Sequence, residues 1–325
     1  MPKSRDIDGC PFPFAEMWSE YSMGFRVVFI ENEVGIRVKL NNLVVTKEGK
    51  ELWIPVDDIS VLIIDNLQIT LTARVLCVLA EHNVGVIICD QKHHPIGYYS
   101  SYDNHSRVSK MILYQTEKEI AFYDNLWKKI IQGKLENQAQ VLEMLEKNRC
   151  VAEHLRVFSE EVQPGDPANR EAHGAKIYFN ELMGTSFSRG NEDILLNSGL
   201  DYGYAICRSF LAKACVGYGL NTQLGIHHRN EYNRFNLVDD LIEPFRPIVD
   251  FYSYHILEEE EYFMPEHRHK LANLLNHRIE YKGKNMILCN AMEEYVSNVA
   301  AYIGNKDVDV VLPCVKNYQG EDNEI

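Results

Sequence analysis

The texture of the 325-residue chain changes once, near residue 105, and that change limits what it can fold into. From Phe25 onward, runs of about six residues rich in Val and Ile (FRVVFI, GIRVKL, NLVVTK, ELWIPV, ISVLII, VGVIIC) alternate with Gly, Asn and the Glu48-Gly49-Lys50 turn, as β-strands do. One helix interrupts them: residues 70–82 put Leu71, Val75, Val78 and Leu79 at helical spacing. Beyond His105-Ser106 the periodicity is helical, with Ile120, Tyr123, Trp127, Ile130 and Ile131 marking one face and Ser106 placed as a cap. Breaks are expected at Pro164-Gly165-Asp166-Pro167 and at Pro244 and Pro247. The expected class is α+β: a β-sandwich-like domain with one packed helix over 23–105, then a larger all-α catalytic domain over 106–325. Residues 1–22 have no usable period, so they are expected to be a loose arm, or Met23 to be the natural start.

The net charge of -14 argues at first against a nucleic-acid ligand, since affinity for phosphates comes from Lys and Arg. Half of the excess, however, lies in residues 250–325, in runs such as Glu258 to Glu261 that are expected to be solvated. The segment 106–150 is net positive, and Arg107, Lys110, Lys128, Lys129 and Lys134 offer a phosphate-tracking surface or a plain solvated helix face.

Eight cysteines show neither a C-x-x-C pair nor zinc-site spacing, and several sit in apolar runs where a thiol behaves as a small hydrophobe. No apolar stretch approaches the ~20 residues needed to cross a bilayer. A reduced, cytoplasmic protein without a membrane partner is expected.

Familiar small motifs are missing: no G-x-G-x-x-G, no G-x-x-x-x-G-K-[ST], no G-x-S-x-G. The stretch HHRNEYN suggests a metal-nuclease finger but lacks the flanking strand and helix pattern. In Asn169-Arg-Glu-Ala-His-Gly-Ala-Lys-Ile-Tyr-Phe179, a helix puts Glu171 on the inward face with Ala175, Tyr178 and Leu182. A carboxylate there must be paired, with Arg208 for instance, or protonated, or bound to metal. A second cluster is Gly225-Ile-His-His228 followed by Asn236-Leu-Val-Asp-Asp-Leu-Ile-Glu-Pro-Phe-Arg-Pro247. Asp239, Asp240 and Glu243 can share a helical face, which could simply be a wet stripe with Asn236 and Arg246, and adjacent His227 and His228 project in different directions. One inward carboxylate, one His and a second carboxylate form a mixed O,O,N set suited to Mg²⁺ or Mn²⁺. Such a site performs phosphoryl transfer or another metal-assisted hydrolysis.

The strings NREAHGAKIYF, GIHH and FNLVDDLIEPFRPIVD closely resemble the CRISPR-associated integrase family of the adaptation machinery, from about Met23 to at least Asp250. The forms found beside type II effectors look most similar. Carried over by motif, the resemblance implies a catalytic, metal-binding triad of Glu171, His228 and Glu243, with Asp239, Asp240 and Arg246 in support. His228 is chosen over His227 because it stands fifteen residues before the glutamate of E-P-F-R-P. Ala172 and Gly174 exchange the Gly and Ala of some similar members; both are small, so close helix packing is expected to survive. Residues 1–22 have no counterpart.

The resemblance further implies a homodimer that joins a small second subunit, and in type II systems a large effector. Such an enzyme captures double-stranded DNA fragments and inserts them into the CRISPR array, the fragment's 3′-hydroxyl attacking a phosphodiester. Nuclease activity on branched DNA accompanies this in the family. A stand-alone structure-selective nuclease and a non-catalytic DNA-binding scaffold remain as alternatives. Arg107, Lys110, Arg170, Lys176, Arg229 and Arg234, in the basic stretch or beside the triad, are the candidate DNA contacts.

Overall fold

The computed structural model describes residues 26–93, 95–101, 107–191 and 194–320, so the arm and the proposed cap Ser106 lie outside the described residues. The first part is two four-stranded sheets. Strands β1 (Arg26–Ile30), β5 (Ile59–Ile64) and β7 (Gly85–Cys89) run parallel, and antiparallel β8 (Pro95–Tyr99) closes the order β1-β5-β7-β8. The other sheet has the order β4-β3-β2-β6, from β2 (Gly35–Lys39), β3 (Asn42–Lys47), β4 (Lys50–Pro55) and the short β6 (Thr70–Leu71). Its hairpins turn on residue pairs with positive φ, Leu40-Asn41 and Glu48-Gly49, whose twist matches that of the strands. Helix α1 (Ala73–Glu81) buries Val75 and Leu79, as its periodicity predicts.

All of β5 is buried, and side-chain alternation explains where. Val28, Ile30, Leu62, Ile64 and Val86 face α1 and the second sheet. Val27, Phe29, Val61, Ile63 and Ile87 belong instead to a core continuous with the helices that follow. Polar groups cross the same seam: Asp65, after β5, pairs with Arg268, and Lys213 lies 3.3 Å from Ser60.

Those helices are α2 (Val108–Thr116), α3 (Ile120–Met144), α4 (Arg149–Glu161), α5 (Arg170–Met183), α6 (Leu195–Gly217), α7 (Asn236–Leu241), α8 (Arg246–Leu257), α9 (Pro265–Asn273) and α10 (Leu288–Ile303). The 25-residue α3 runs through the middle, against α4, α5 and α8. Its predicted stripe holds for Trp127, Ile130 and Ile131, but Ile120, at the helix start beyond reach of the core, is exposed. The chain breaks as expected between α4 and α5, and α7 ends just before Pro244, a 3-10 turn (Glu243–Phe245) leading into α8. The second part is not purely helical. Strands β9 (Arg278–Tyr281), β10 (Lys284–Ile287) and β11 (Cys314–Gln319) form an antiparallel sheet in the order β10-β9-β11. These strands are short and half-polar, and the turn at Lys282-Gly283, both with positive φ, was the one signal of their hairpin.

The described cysteines, Cys77, Cys89, Cys150, Cys207, Cys215, Cys289 and Cys314, are all thiols. No helix among the described residues is long and apolar enough to cross a membrane.

Candidate active site

Glu171 occupies the first turn of α5. Asp166, in the Pro-Gly-Asp-Pro break, accepts the backbone N–H groups of Arg170 (2.9 Å) and Glu171 (3.0 Å), satisfying donors that a helix start leaves open. Farther along that face Tyr178 and Leu182 are buried, as predicted. Gly174 is buried too, in a place where an added Cβ would meet Leu135, whereas Ala172 is exposed. Only one of the two small residues therefore serves close packing.

The partner of Glu171 is not Arg208. It is Lys134 of α3, whose Nζ donates to Glu171 Oε1 at 2.8 Å and lies 2.5 Å from Glu243 Oε2. Lys134 is buried, which corrects its assignment to a phosphate-tracking surface; Lys129 of the same stretch is paired with Asp309. Glu243 is buried as well. Arg246 Nε donates to its Oε1 at 2.8 Å, and Oε2 faces the Lys134 ammonium. Burial raises the Glu243 carboxyl, but the attraction of Arg246 and Lys134 prevails and brings it to about 2. Lys134 is likewise raised: burial disfavours its charge, and Glu243 and Glu171 more than restore it.

His228 and Asp240 form the second half of the site. Asp240, fully buried, accepts the backbone N–H groups of Ile226 (2.5 Å), His227 (3.0 Å) and His228 (3.1 Å). His228 Nδ1 donates to it at 2.6 Å, which fixes the ring and leaves Nε2 as the nitrogen open to a ligand. This hydrogen bond raises the imidazole pKa against the effect of burial, with further help from Asp240, Glu243 and Glu171. Gly225 is required here, because a Cβ would come within 2.2 Å of the His228 carbonyl oxygen. His227 turns the other way and stacks on Trp127, with ring centroids 4.4 Å apart.

The acidic stripe is thus neither wet nor one face. Asp240 holds the His loop, Glu243 faces Lys134, and Asp239 pairs with Arg208 (Nε to Oδ1, 2.7 Å) and accepts Asn233 Nδ2 at 2.6 Å. Next to His228 a cleft is lined by Arg189, Arg208, Arg246, Tyr204, Asp201 and Asp239, and the three arginines are paired with Asp201, Asp239 and Glu243 respectively. Arg246 stacks over the Tyr204 ring at 4.5 Å, with Arg189 at 5.5 Å from the same centroid. Sequence reasoning missed Arg189, and treated Arg208 only as a partner for Glu171. Of the candidate DNA contacts, Arg229 and Arg234 are exposed on the loop after His228. Lys176 is exposed on α5, and Arg170 is tied to Glu161 at 2.7 Å. Arg107 and Lys110 are exposed at the start of α2.

The chemistry of this donor set suits a divalent ion. Two carboxylates converge on one buried cation, and His228 is held by a carboxylate as metal-binding imidazoles commonly are. The ammonium of Lys134 stands between the carboxylates, and no three His, Cys, Asp or Glu side chains among the described residues are gathered closely enough to hold an ion in this conformation.

Residues 27–288 match the family described as "CRISPR associated protein Cas1". The CRISPR-associated endonuclease Cas1 of Neisseria meningitidis serogroup C (strain 8013) is 32% identical over 307 residues, covering 92% of this chain and all of that protein. Among solved structures, a casposase bound to integration product has a TM-score of 0.73 at 21% identity, covering 93% of this chain and 96% of its own. A Cas6-RT-Cas1--Cas2 complex has a TM-score of 0.67 at 17% identity, over 89% of this chain and 36% of its own. This chain therefore belongs to the Cas1 family of CRISPR-associated proteins.

Proposed function

We propose that the protein is a metal-dependent DNA integrase of CRISPR adaptation, with DNA endonuclease activity as the hydrolytic form of the same reaction. The observation that carries this reading is the convergence of Glu171 and Glu243 on a single buried cation, beside a His228 fixed by Asp240. Glu171, His228 and Glu243 would hold Mg²⁺ or Mn²⁺. Bound there, the ion would stabilise charge on the phosphate and on the leaving oxygen.

The protein's own groups do the rest. Arg246 keeps Glu243 ionised, and Asp240 keeps the His228 ring oriented with Nε2 outward. Arg189, Arg208 and Arg246 line the cleft next to His228, and their guanidinium groups, each already paired with a carboxylate, would bind a phosphodiester through their remaining N–H groups. The 3′-hydroxyl of a DNA fragment attacks the phosphorus, so one P–O ester bond forms as another breaks, and no external energy source is needed. With water as the attacking group the same exchange nicks the strand, in keeping with the name of the Neisseria relative.

Arg107, Lys110, Arg170, Lys176, Arg229 and Arg234 are proposed to follow the DNA backbone. A small second subunit completes the assembly, in keeping with the Cas6-RT-Cas1--Cas2 complex among similar structures; a homodimer and a type II effector are the further partners that the family resemblance implies. Strand transfer of a labelled fragment into array DNA, with Mn²⁺ and the second subunit, tests this. Glu171→Ala and Glu243→Ala are each expected to lower product at least a hundredfold. Product at the wild-type level in either variant would refute the triad, and nicking that needs no second subunit, with no insertion even when it is present, would favour a stand-alone nuclease.

A further inference from the structure

The cation already present between the two carboxylates is itself informative. Lys134 enters from α3, an element that contributes none of the triad, and its side chain is 7% exposed. Its nitrogen reaches both Glu171 (2.8 Å) and Glu243 (2.5 Å), so one ammonium neutralises carboxylates that belong to segments 72 residues apart in sequence. A divalent ion bridging the same oxygens would put +2 against this +1 at contact distance in a buried site, where such repulsion is severe. Both cannot occupy the gap.

We propose that Lys134 is a built-in placeholder: its ammonium holds Glu171 and Glu243 together in the metal-free protein and competes with the divalent ion for them. Loading then requires the side chain to withdraw, and the affinity for metal is the difference between two cations rather than the full attraction of the carboxylates. The placeholder prevents buried Glu243 and half-buried Glu171 from facing each other without a cation between them while the protein folds without metal. It also makes the free protein a weak metal binder. A DNA phosphate entering the cleft beside His228 would offer the displaced ammonium a new partner, so metal loading and DNA binding favour each other. The inference rests on the metal reading given above.

Mn²⁺ titration of the chelator-treated full chain, read by the electron paramagnetic resonance of free Mn²⁺, tests it without any activity measurement. Lys134→Met, close in shape but uncharged, is expected to bind Mn²⁺ about tenfold or more tightly than wild type, whereas Lys134→Arg, which keeps the charge, stays near wild type. In chelator the melting temperature of Lys134→Met falls, and saturating Mn²⁺ raises it by more than it raises that of wild type. Lys134→Gln serves as a second uncharged variant should Lys134→Met fail to fold. Wild-type binding that is lost in Glu243→Ala but unchanged or weakened in the uncharged variants would overturn the placeholder and leave the metal reading standing. No Mn²⁺ binding in wild type or in any Lys134 variant would overturn both.

Discussion

The two parts of the molecule bury very different things. On the face of β5 turned toward α1 the interior is hydrocarbon: Val28, Ile30, Leu62, Ile64 and Val86 against Leu43, Ile54, Val75 and Leu79. Around α3 and the α7–α8 corner the interior includes Lys134, Asp240, Glu243 and Asp250, each with a residue-wide exposure of 5% or less. Hydrocarbon burial stabilises a fold directly, while every buried charge costs free energy unless a specific partner offsets it. The first region needs only shape and apolar character. The second needs particular atoms at particular distances, which is the requirement of a chemical site rather than of a scaffold.

The largest test of this contrast pairs one substitution from each region. Glu243→Ala leaves buried Lys134 with Glu171 as its remaining carboxylate and takes the carboxylate from half-buried Arg246, and should cost about 3 kcal/mol. Leu62→Ala removes a comparable buried volume and should cost about 2–5 kcal/mol through the cavity it opens. Urea denaturation gives both values; what separates them is salt and metal. Mn²⁺ is expected to stabilise the Leu62 variant and wild type alike, and not the Glu243 variant. Equal stabilisation of the two would dissolve the contrast.

A smaller effect is expected at Asp240, which supports the reaction only by orienting His228. Asp240→Asn weakens the anionic acceptor of the ring and should lower strand transfer about 10–100-fold, with DNA affinity preserved. The acidic limb of its pH profile should move to lower pH, since a metal-binding imidazole must be neutral and the hydrogen bond that raises its pKa is weakened. Wild-type rates would mean that the His loop is held by its backbone bonds alone.

The smallest effect comes from two buried acids seven residues apart with opposite shifts. Burial raises Asp250 from 3.8 to about 6, with Tyr204 donating to it and Arg246 only partly compensating. A raised carboxyl binds its proton more tightly when folded, so its contribution to stability grows as pH falls through 6 and is lost as pH rises. Between pH 7.5 and 5 wild type should gain about 1 kcal/mol that Asp250→Asn does not. Glu243 works the other way: depressed from 4.5 to about 2, its contribution is present above pH 4.5 and lost as pH falls toward 2. Identical pH curves for wild type and Asp250→Asn would show that Asp250 does not control this range.

What the sequence made legible follows the same division. Runs such as ISVLII announce a buried strand because β-branched apolar character is a local property. Glu171, His228 and Glu243 were singled out through their surrounding strings, and Tyr178 and Leu182 located the inward face by periodicity alone. Lys134 was not recognisable, because a lysine among Gln, Lys and Glu on a long helix looks like a solvated residue until α5 and the 3-10 turn bring two carboxylates to it. Asp240 was hidden for a related reason. Helical spacing put it in a stripe with Asp239 and Glu243, and only the return of the Gly225–His228 loop shows that it is enclosed by backbone donors. The terminal sheet escaped because its strands are four to six residues long and carry little apolar character.

The change of texture near residue 105 is a boundary in secondary structure, while the core continues across it. Val27, Phe29, Val61, Ile63 and Ile87 lie in one cluster with Tyr202, Ile206 and Phe210 of α6. The first hundred residues, made alone, would therefore expose a whole sheet face of Val, Ile and Phe to water and invite edge-to-face aggregation. The strand half cannot be inherited, expressed or exchanged as a module without redesigning that face, so its most constrained surface is the one turned toward its own catalytic half.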